Sequence, residues 1–296
     1  MRYCESAGHF QIHDNRIQAM TIHSAAVPKI GVFDSGVGGL SVLKAIRREH
    51  PIVDFIYIAD SGNAPYGSRP PAFIENRAHQ IAERLVDAGA QVIVIACNTA
   101  TAVAVERLRS HLPVPVIAME PAIKPAVAHT RTGVVGVLAT ERTIESANVA
   151  RLCREYGQGV NVLLQPCPGL VEFVERGELS SGFTREYLRK LVIPLVDKGA
   201  DTLVLGCTHY VFLESEIREI AGPAVRIIES SAAVARQTIR HLCSQDMASA
   251  PFQSRETFLT TGSPDSARVI FSQLWGSPVE VGALENSNVC AESLLN

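Results

Sequence analysis

The fold of this chain is indicated by two similar stretches of sequence, Val94-Ile-Ala-Cys-Asn-Thr99 and Val204-Leu-Gly-Cys-Thr-His209. Each begins with the apolar run typical of a buried parallel strand and continues through a small residue to a cysteine and two polar residues. Any two strand–helix repeats look alike along their strands, but that likeness does not account for a cysteine at the same strand end. We therefore interpret the two stretches as equivalent strands in two related halves of the chain.

The strands around these two stretches recur in the same order. Apolar runs at residues 30–33, 55–58, 92–96 and 114–118 are matched by runs at residues 134–138, 160–164, 202–206 and 225–228. Stretches with the helical period lie between the first four runs, at residues 40–49, 72–88 and 102–110. Alternating strands and helices are typical of parallel sheets. The sequence therefore predicts an α/β fold with two similar, pseudo-symmetric domains, each a mainly parallel sheet flanked by helices, and an active site in the cleft between them.

The last part of the chain is predicted to return to the first domain. It contains, in order, a helix at residues 232–243, a strand at 257–260, a helix that ends near Trp275 and a final strand at 279–281. The first α/β domain then comprises residues 27–120 and 229–296, the second comprises residues 121–228, and residues 1–26 form an N-terminal extension. Since Met20 lies shortly before the first strand, it is an alternative start to Met1.

The composition argues against several classes of protein. The 296 residues include 27 Lys and Arg and 30 Asp and Glu, and a formal charge of −3 supplies no basic surplus for nucleic-acid phosphates. The apolar runs are much shorter than the roughly 20 residues that cross a bilayer, and residues 1–26 lack the apolar core of a signal peptide. Seven cysteines without a CxxC pair fit a reduced compartment and provide no paired spacing for a zinc site. We expect a cytoplasmic protein with no metal, no nucleic-acid partner and no membrane partner.

The paired cysteines, Cys97 and Cys207, indicate the chemistry. Ligands of parallel α/β sheets bind beyond the carboxyl ends of the strands, where both cysteines are predicted to lie. Each is followed by residues expected to open a helix, whose N-terminus favours a thiolate. If the halves face each other, the two sulfurs approach one substrate from opposite sides. One thiolate would remove a proton from a stereogenic carbon and the opposing thiol would return one to the other face, which inverts the centre without a cofactor.

Other strand-end residues are candidates to assist the cysteines. Asp34 could hold a proton or orient a substrate ammonium group, although a carboxylate near a thiol raises the thiol pKa. His209 is a candidate acid–base group, with a strand-end hydrogen bond as the alternative. Tyr66, in a loop with proline and glycine, could present either its hydroxyl or its backbone to the cleft. The side chains suited to a substrate carboxylate, or equally to capping a helix, are Ser35, Asn98, Thr99, Thr140 and Thr208.

Four motifs together resemble the glutamate racemases of the aspartate/glutamate racemase superfamily. They are Phe33-Asp-Ser-Gly-Val-Gly-Gly-Leu40, Pro65-Tyr-Gly67, Ala96-Cys-Asn-Thr-Ala100 and Gly206-Cys-Thr-His-Tyr210. The resemblance implies an interconversion of L-glutamate and D-glutamate that needs neither pyridoxal phosphate nor a metal and supplies D-glutamate for peptidoglycan biosynthesis. The glycine-rich first motif has neither the GxGxxG spacing nor the P-loop lysine of nucleotide-binding loops.

The resemblance also implies a role for each matching residue. Cys97 takes the α-proton from D-glutamate with help from Asp34, and Cys207 takes it from L-glutamate. His209 assists Cys207 together with a glutamate that falls on Glu175, a choice over Glu172 that periodicity alone does not make. The positions implied to bind substrate are Asp34, Ser35, Tyr66, Gly67, Asn98, Thr99, Thr140, Thr208 and His209.

Some expectations extend beyond the reaction itself. The segment Pro121-Ala-Ile-Lys-Pro125 resembles the hinge of members that are activated by a UDP-muramoyl-peptide precursor. Val211 stands where the family usually has proline, a change expected to loosen the turn without removing a catalytic group. Both a monomer and a homodimer are compatible with the sequence. Two other functions also stay open: the same fold acting on aspartate or another α-substituted acid, and a binding or regulatory protein with reactive thiols, as in racemase-like proteins that bind gyrase.

Overall fold

The computed structural model describes residues 27–242 and 254–284. The predicted N-terminal extension at residues 1–26, Cys243 at the end of a predicted helix, and residues 285–296 lie outside the described residues. Among the helices of the described ranges, none combines the length and the apolar character needed to cross a bilayer.

The described chain forms ten strands, all parallel to their neighbours, in two sheets. The strands are β1 (Lys29–Asp34), β2 (Asp54–Ala59), β3 (Val92–Ile95), β4 (Val116–Ala118), β5 (Val134–Ala139), β6 (Asn161–Pro166), β7 (Thr202–Leu205), β8 (Arg226–Ile228), β9 (Glu256–Thr260) and β10 (Val281–Ala283). The helices are α1 (Leu40–Glu49), α2 (Pro71–Asp87), α3 (Asn98–His111), α4 (Ile123–His129), α5 (Glu141–Ile144), α6 (Ala147–Tyr156), α7 (Leu170–Glu175), α8 (Gly182–Asp197), α9 (Glu214–Ala221), α10 (Ser231–Leu242) and α11 (Pro264–Trp275).

The order of the strands repeats between the two sheets. The first sheet has the order β10-β9-β2-β1-β3-β4, and the second has the order β6-β5-β7-β8. The segment β2-β1-β3-β4 therefore has the same arrangement as the whole second sheet. This confirms the predicted α/β fold built from two similar halves, and it places β1 with β3, and β5 with β7, at matching positions.

The central strands are buried on both faces because helices cover each sheet. The side chains of β3 and β7 are all buried, as apolar and β-branched runs in a parallel sheet require. A single apolar cluster includes Leu40 and Val94 from the first half together with Leu170 and Leu205 from the second. The two halves thus share a packed core along their junction, which holds their strand ends close to each other.

The prediction of the last strand was wrong in its position. A strand was expected at residues 279–281, whereas the backbone pairs with β9 only from Val281 to Ala283. Val279 is buried, and its N–H donates to Ser272 Oγ at 3.1 Å instead of to a strand. Strands β9 and β10 extend the first sheet at β2. The exact domain boundaries stay a prediction.

The two segments that cross between the sheets are tied together. The chain leaves β4 near Glu120 and returns after β8 near Ser230, and Ser230 Oγ donates to the Glu120 carbonyl at 2.5 Å. This bond therefore holds the two crossing segments side by side.

One exposed turn depends on a single carboxylate. Asp201 accepts from Thr130 Oγ1 at 2.6 Å, from Arg131 N–H at 2.7 Å and from Thr132 N–H at 3.1 Å, which holds the turn between α4 and β5. Partial burial raises the pKa of Asp201, but these hydrogen bonds outweigh it and lower the pKa from 3.8 to about 2.

We expect Asp201→Asn to lower the free energy of unfolding near neutral pH by about 2 kcal/mol, because the amide keeps only one acceptor oxygen, which can serve the two backbone N–H groups or the Thr130 hydroxyl but not both. The folded pKa lies below the ordinary value, so the carboxylate's contribution is complete above about pH 4 and is lost as the pH falls towards 2. The difference in free energy of unfolding between the variant and the unaltered protein should therefore become smaller as the pH falls below about 4. Urea unfolding at about pH 7, 4 and 3 measures this difference.

The control is Glu106→Gln, which removes an exposed carboxylate on α3 and should change stability by less than about 0.5 kcal/mol. Equal losses in the two variants, or a difference that grows as the pH falls, would contradict the proposed role of Asp201.

Candidate active site

The carboxyl ends of central strands from both sheets meet at one small cavity. Asp34 is the last residue of β1, Thr140 follows β5, and Cys97 and Cys207 come shortly after β3 and β7. The cavity is lined by Ser35, Pro65, Tyr66, Gly67, Cys97, Asn98, Thr99, Thr140, Val171, Cys207, Thr208 and His209. The structure therefore brings together ten of the residues singled out from the sequence, while Asp34 and Glu175 lie directly behind the lining and contact it.

Cys97 is buried and caps the first turn of α3. Its Sγ accepts from Ala100 N–H at 3.4 Å and lies 3.7 Å from Ser35 Oγ, towards which the thiol donates. Burial, and then the nearby Asp34 carboxylate, raise the pKa of Cys97 to about 12, and the two hydrogen bonds offset this only in part. The expected stabilisation of a thiolate by the helix N-terminus is thus outweighed, and Cys97 is a neutral thiol at pH 7.

Cys207 lies beside a buried histidine that has a carboxylate partner. Its Sγ is 3.8 Å from His209 Nδ1, and His209 Nε2 donates to Glu175 Oε1 at 2.7 Å. Burial alone would lower the pKa of His209, but the hydrogen bonds to Cys207 and Glu175, together with the charge of Asp34, raise it well above its usual value. A protonated imidazole therefore places a donor and a positive charge next to the sulfur of Cys207.

A helix opens directly after Cys207, as predicted, but its first part is not an α-helix. Residues Thr208–Leu213 form a 3-10 helix, and α9 begins only at Glu214. This tighter turn points His209 back towards Cys207, two residues before it.

Asp34 connects the two halves. Its carboxylate accepts from Ser35 Oγ at 2.9 Å and Gly36 N–H at 3.1 Å on one oxygen, and from Thr208 Oγ1 at 2.8 Å on the other. Burial raises the pKa of Asp34, and the charge of His209 and these hydrogen bonds lower it only in part. The Asp34 carboxylate thus links the residue that contacts Cys97 with the residue that follows Cys207.

The glycines after Asp34 allow this close approach. A Cβ atom at Gly36 would lie 1.8 Å from Glu175 Oε1, and one at Gly38 would lie 2.2 Å from His209 Nδ1. Any side chain at these positions would displace the groups beside Cys207. From the sequence, the glycines only argued against a nucleotide-binding loop, whereas the structure assigns them to the contact between the halves.

Two sets of polar side chains line the remaining wall. Thr99 Oγ1 and Thr140 Oγ1 are 3.0 Å apart and share contacts with Thr143 Oγ1, a buried residue that the sequence analysis missed. The one feature of the sequence that could have identified Thr143 is its position three residues after Thr140. At that position its N–H donates to the hydroxyl of Thr140, which caps the helix. Within the described residues, both amide atoms of Asn98 are buried without a hydrogen-bond partner. Asn98 therefore offers a free donor and a free acceptor to a ligand.

The hydroxyl of Tyr66 already has a partner in the protein. It donates to Asp60 Oδ2 at 2.6 Å, and Asp60 is not among the residues that line the cavity. Whether the backbone of Tyr66 contacts a substrate stays a prediction.

The remaining cysteines of the described ranges are not part of this arrangement. Cys153 is half-buried on α6, and Cys167 is buried with its Sγ donating to the Gln165 carbonyl at 3.3 Å. Cys4, Cys243 and Cys290 lie outside the described residues. Across residues 27–242 and 254–284 there is no group of three or more His, Cys, Asp and Glu side chains arranged to hold a metal ion.

Comparison with known proteins gives concordant matches. The family model for Asp/Glu/hydantoin racemases matches residues 38–238. A glutamate racemase of Pseudomonas aeruginosa is 46% identical over 266 residues, which cover 90% of this chain and 99% of the relative. A glutamate racemase of Methylococcus capsulatus is 53% identical over 213 residues, or 72% of this chain and 79% of the relative.

Two solved structures have the same fold along nearly their whole length. Glutamate racemase from Bacillus anthracis has a TM-score of 0.78 and 32% identity, covering 89% of this chain and 99% of that one. Escherichia coli glutamate racemase, in complex with L-glutamate and the activator UDP-MurNAc-Ala, has a TM-score of 0.78 and 29% identity, covering 87% and 98%.

The contact between His209 and Glu175 predicts the outcome of a matched pair of substitutions. Glu175→Gln should lower the pKa of His209, because the carboxylate that supports the imidazolium becomes a neutral amide. Glu172→Gln, on the same helix α7, should leave that pKa unchanged. Titration of the His209 ring nitrogens by NMR measures both, and equal shifts in the two variants would refute the pairing.

Proposed function

This chain belongs to the glutamate racemases of the Asp/Glu/hydantoin racemase family, and we propose that it interconverts L-glutamate and D-glutamate with Cys97 and Cys207 as its two acid–base groups. The observation that carries the proposal is that two strand-end cysteines, one from each sheet, line one cavity with different polar partners. Inversion of a stereocentre requires an acid and a base on opposite faces of one carbon. Two related halves that face each other would supply that arrangement.

The reaction is a pair of proton transfers. For L-glutamate, the Cys207 sulfur takes the proton from Cα, so a C–H bond breaks and an S–H bond forms, and the electron pair is left on the carbon. The Cys97 thiol then gives its proton to the opposite face of Cα. Cys97 is a neutral thiol in the structure, and the His209 cation lies beside Cys207. This is the arrangement required for turnover of L-glutamate, and after one turnover the roles of the two sulfurs are exchanged.

The other polar groups suit the charges of glutamate. Asn98 provides a free donor, and the hydroxyl-bearing residues Ser35, Thr99, Thr140 and Thr208 line the cavity where carboxylates would bind. The Asp34 carboxylate would pair with the substrate ammonium group, which would offset the cost of its burial. Glutamate is favoured over aspartate because the relatives described above, at 46% and 53% identity, are glutamate racemases.

We also propose that the enzyme acts without a cofactor and in the synthesis of the cell wall. Both proton transfers are assigned to side chains of this chain, so the reaction needs neither pyridoxal phosphate nor a metal. The product D-glutamate would enter peptidoglycan biosynthesis, which places the enzyme in the cytoplasm, as a monomer or a homodimer. A regulatory protein with reactive thiols is the competing function, and it would not require both cysteines to lie in one cavity.

A second cavity is the site we propose for a UDP-muramoyl-peptide activator. It has a volume of about 870 Å³ and lies where the chain crosses between the sheets, lined in part by Pro121, Lys124 and Pro125. Arg109 and Arg151 also line it and are cations that a diphosphate could contact, although Arg109 is paired with Glu106 at 3.2 Å and Arg151 with Glu120 at 3.1 Å. The Escherichia coli structure described above carries such an activator.

The proposed reaction predicts racemisation and isotope incorporation. Purified protein with a chelator present and no pyridoxal phosphate should remove the optical rotation of L-glutamate, and in D₂O the product should carry deuterium at Cα, because the returned proton comes from an exchangeable thiol. Cys97→Ala and Cys207→Ala should each lower turnover at least about a hundredfold. Cys153→Ala on α6 is the control and should keep full activity. Unchanged rotation, or full activity in either site variant, would reject the proposal in favour of the regulatory function.

The activator proposal makes a separate prediction. UDP-MurNAc-alanine should raise the rate of L-glutamate racemisation in a saturable way, whereas UDP alone should not match it. A rate that stays constant over a wide range of precursor concentrations would exclude this regulation and leave the racemase reaction unaffected.

A further inference from the structure

A buried carboxylate behind the cavity has no role in the proton transfers. Asp60 follows β2 directly and is completely buried. It accepts from Asn63 Nδ2 at 3.0 Å, the Tyr66 hydroxyl at 2.6 Å, Arg77 Nε at 3.0 Å and Nη2 at 2.7 Å, and Thr261 Oγ1 at 2.7 Å. The Arg77 guanidinium binds both carboxylate oxygens, a two-point geometry that fixes orientation as well as charge.

The donors to Asp60 come from parts of the chain that are distant in sequence. Tyr66 belongs to the loop after β2, Arg77 to α2, and Thr261 to the segment after β9. Thr261 is also bonded to the loop and to the end of β2, because its Oγ1 accepts from Gly62 N–H at 3.1 Å and its N–H donates to the Ala59 carbonyl at 3.1 Å. Asp60 therefore joins this loop to a helix on one side and to the sheet extension on the other.

The far end of the same loop forms a wall of the active-site cavity. Pro65, Tyr66 and Gly67 all line it, and a Cβ atom at Gly67 would lie only 3.2 Å from Thr140 Cβ in the other half. A side chain at position 67 would therefore crowd Thr140, and glycine lets the loop lie close to the other half. A small displacement of Tyr66 would move Gly67 either into Thr140 or away from the substrate.

We propose that Asp60, supported by Arg77 and Thr261, is a positioning residue that sets the substrate-facing loop at residues 65–67 through the hydroxyl of Tyr66. The inference rests on the racemase reaction proposed above. Asp60 itself does not touch the substrate. The Tyr66 hydroxyl holds the loop by donating to Asp60. The effect of this hydroxyl on substrate binding is therefore lost when the Asp60 carboxylate is removed.

Steady-state kinetics of four variants, each compared with the unaltered enzyme, test this. Asp60→Asn should raise the KM for L-glutamate about tenfold, with a smaller effect on kcat, because the displaced loop weakens binding more than it affects the sulfurs. Tyr66→Phe should raise KM by a smaller factor. The double variant should match Asp60→Asn alone, since both changes remove one shared interaction. Glu256→Gln, which removes an arginine-paired carboxylate on β9 away from the loop, is the matched control and should keep the KM of the unaltered enzyme.

The outcomes separate this inference from the reaction on which it rests. If the unaltered enzyme does not racemise glutamate, the proposed function fails. If it does and Asp60→Asn has a normal KM, or the two effects multiply in the double variant, the positioning role is overturned. Should Asp60→Asn fail to fold, Thr261→Val replaces it, because loss of that single hydroxyl should still raise KM about threefold while Thr261→Ser should not. An unchanged KM in Thr261→Val would then overturn the inference.

Discussion

One oxygen of the Glu175 carboxylate joins the two halves at the site. It accepts from His209 Nε2 at 2.7 Å and from Val37 N–H at 2.8 Å, so a helix of the second half is bound at once to the residue beside Cys207 and to the glycine loop of the first half. This arrangement is possible only because Gly36 and Gly38 leave room for it. The loop, the imidazole and the sulfur are therefore positioned as one unit, and the cleft takes its shape from that unit.

The two halves have the same arrangement of strands, but the side chains around their cysteines differ. Cys97 is surrounded by Ser35, Asp34 and a helix N-terminus, and burial with a neighbouring carboxylate keeps it protonated. Cys207 has a protonated imidazole next to it instead. A symmetric repeat would give two sulfurs of equal character, whereas a reaction that needs one acid and one base at the same moment benefits from this difference. The duplication therefore explains why there are two thiols, and the divergence of their neighbours explains how they differ.

The sequence was sufficient to predict the parts of the molecule that depend on the local pattern of apolar and polar residues. Apolar runs that end in polar residues located the strand ends, and in a parallel sheet these ends meet, so Cys97 and Cys207 could be placed together. Contacts that depend on the relative position of distant segments could not be predicted. Glu172 and Glu175 are equivalent by periodicity, and only the placement of α7 against the glycine loop distinguishes them. The direction of the Tyr66 hydroxyl depends likewise on where Asp60 and Thr261 lie.

The distances from the two sulfurs to the substrate test the central claim, that Cys97 and Cys207 act on opposite faces of one carbon. A crystal structure of the protein with glutamate bound gives both distances directly. We expect both Sγ atoms to lie about 3.5 Å from Cα, one on each side of the plane of its three other substituents. Both sulfurs on one face, or glutamate bound with either sulfur out of reach of Cα, would contradict it.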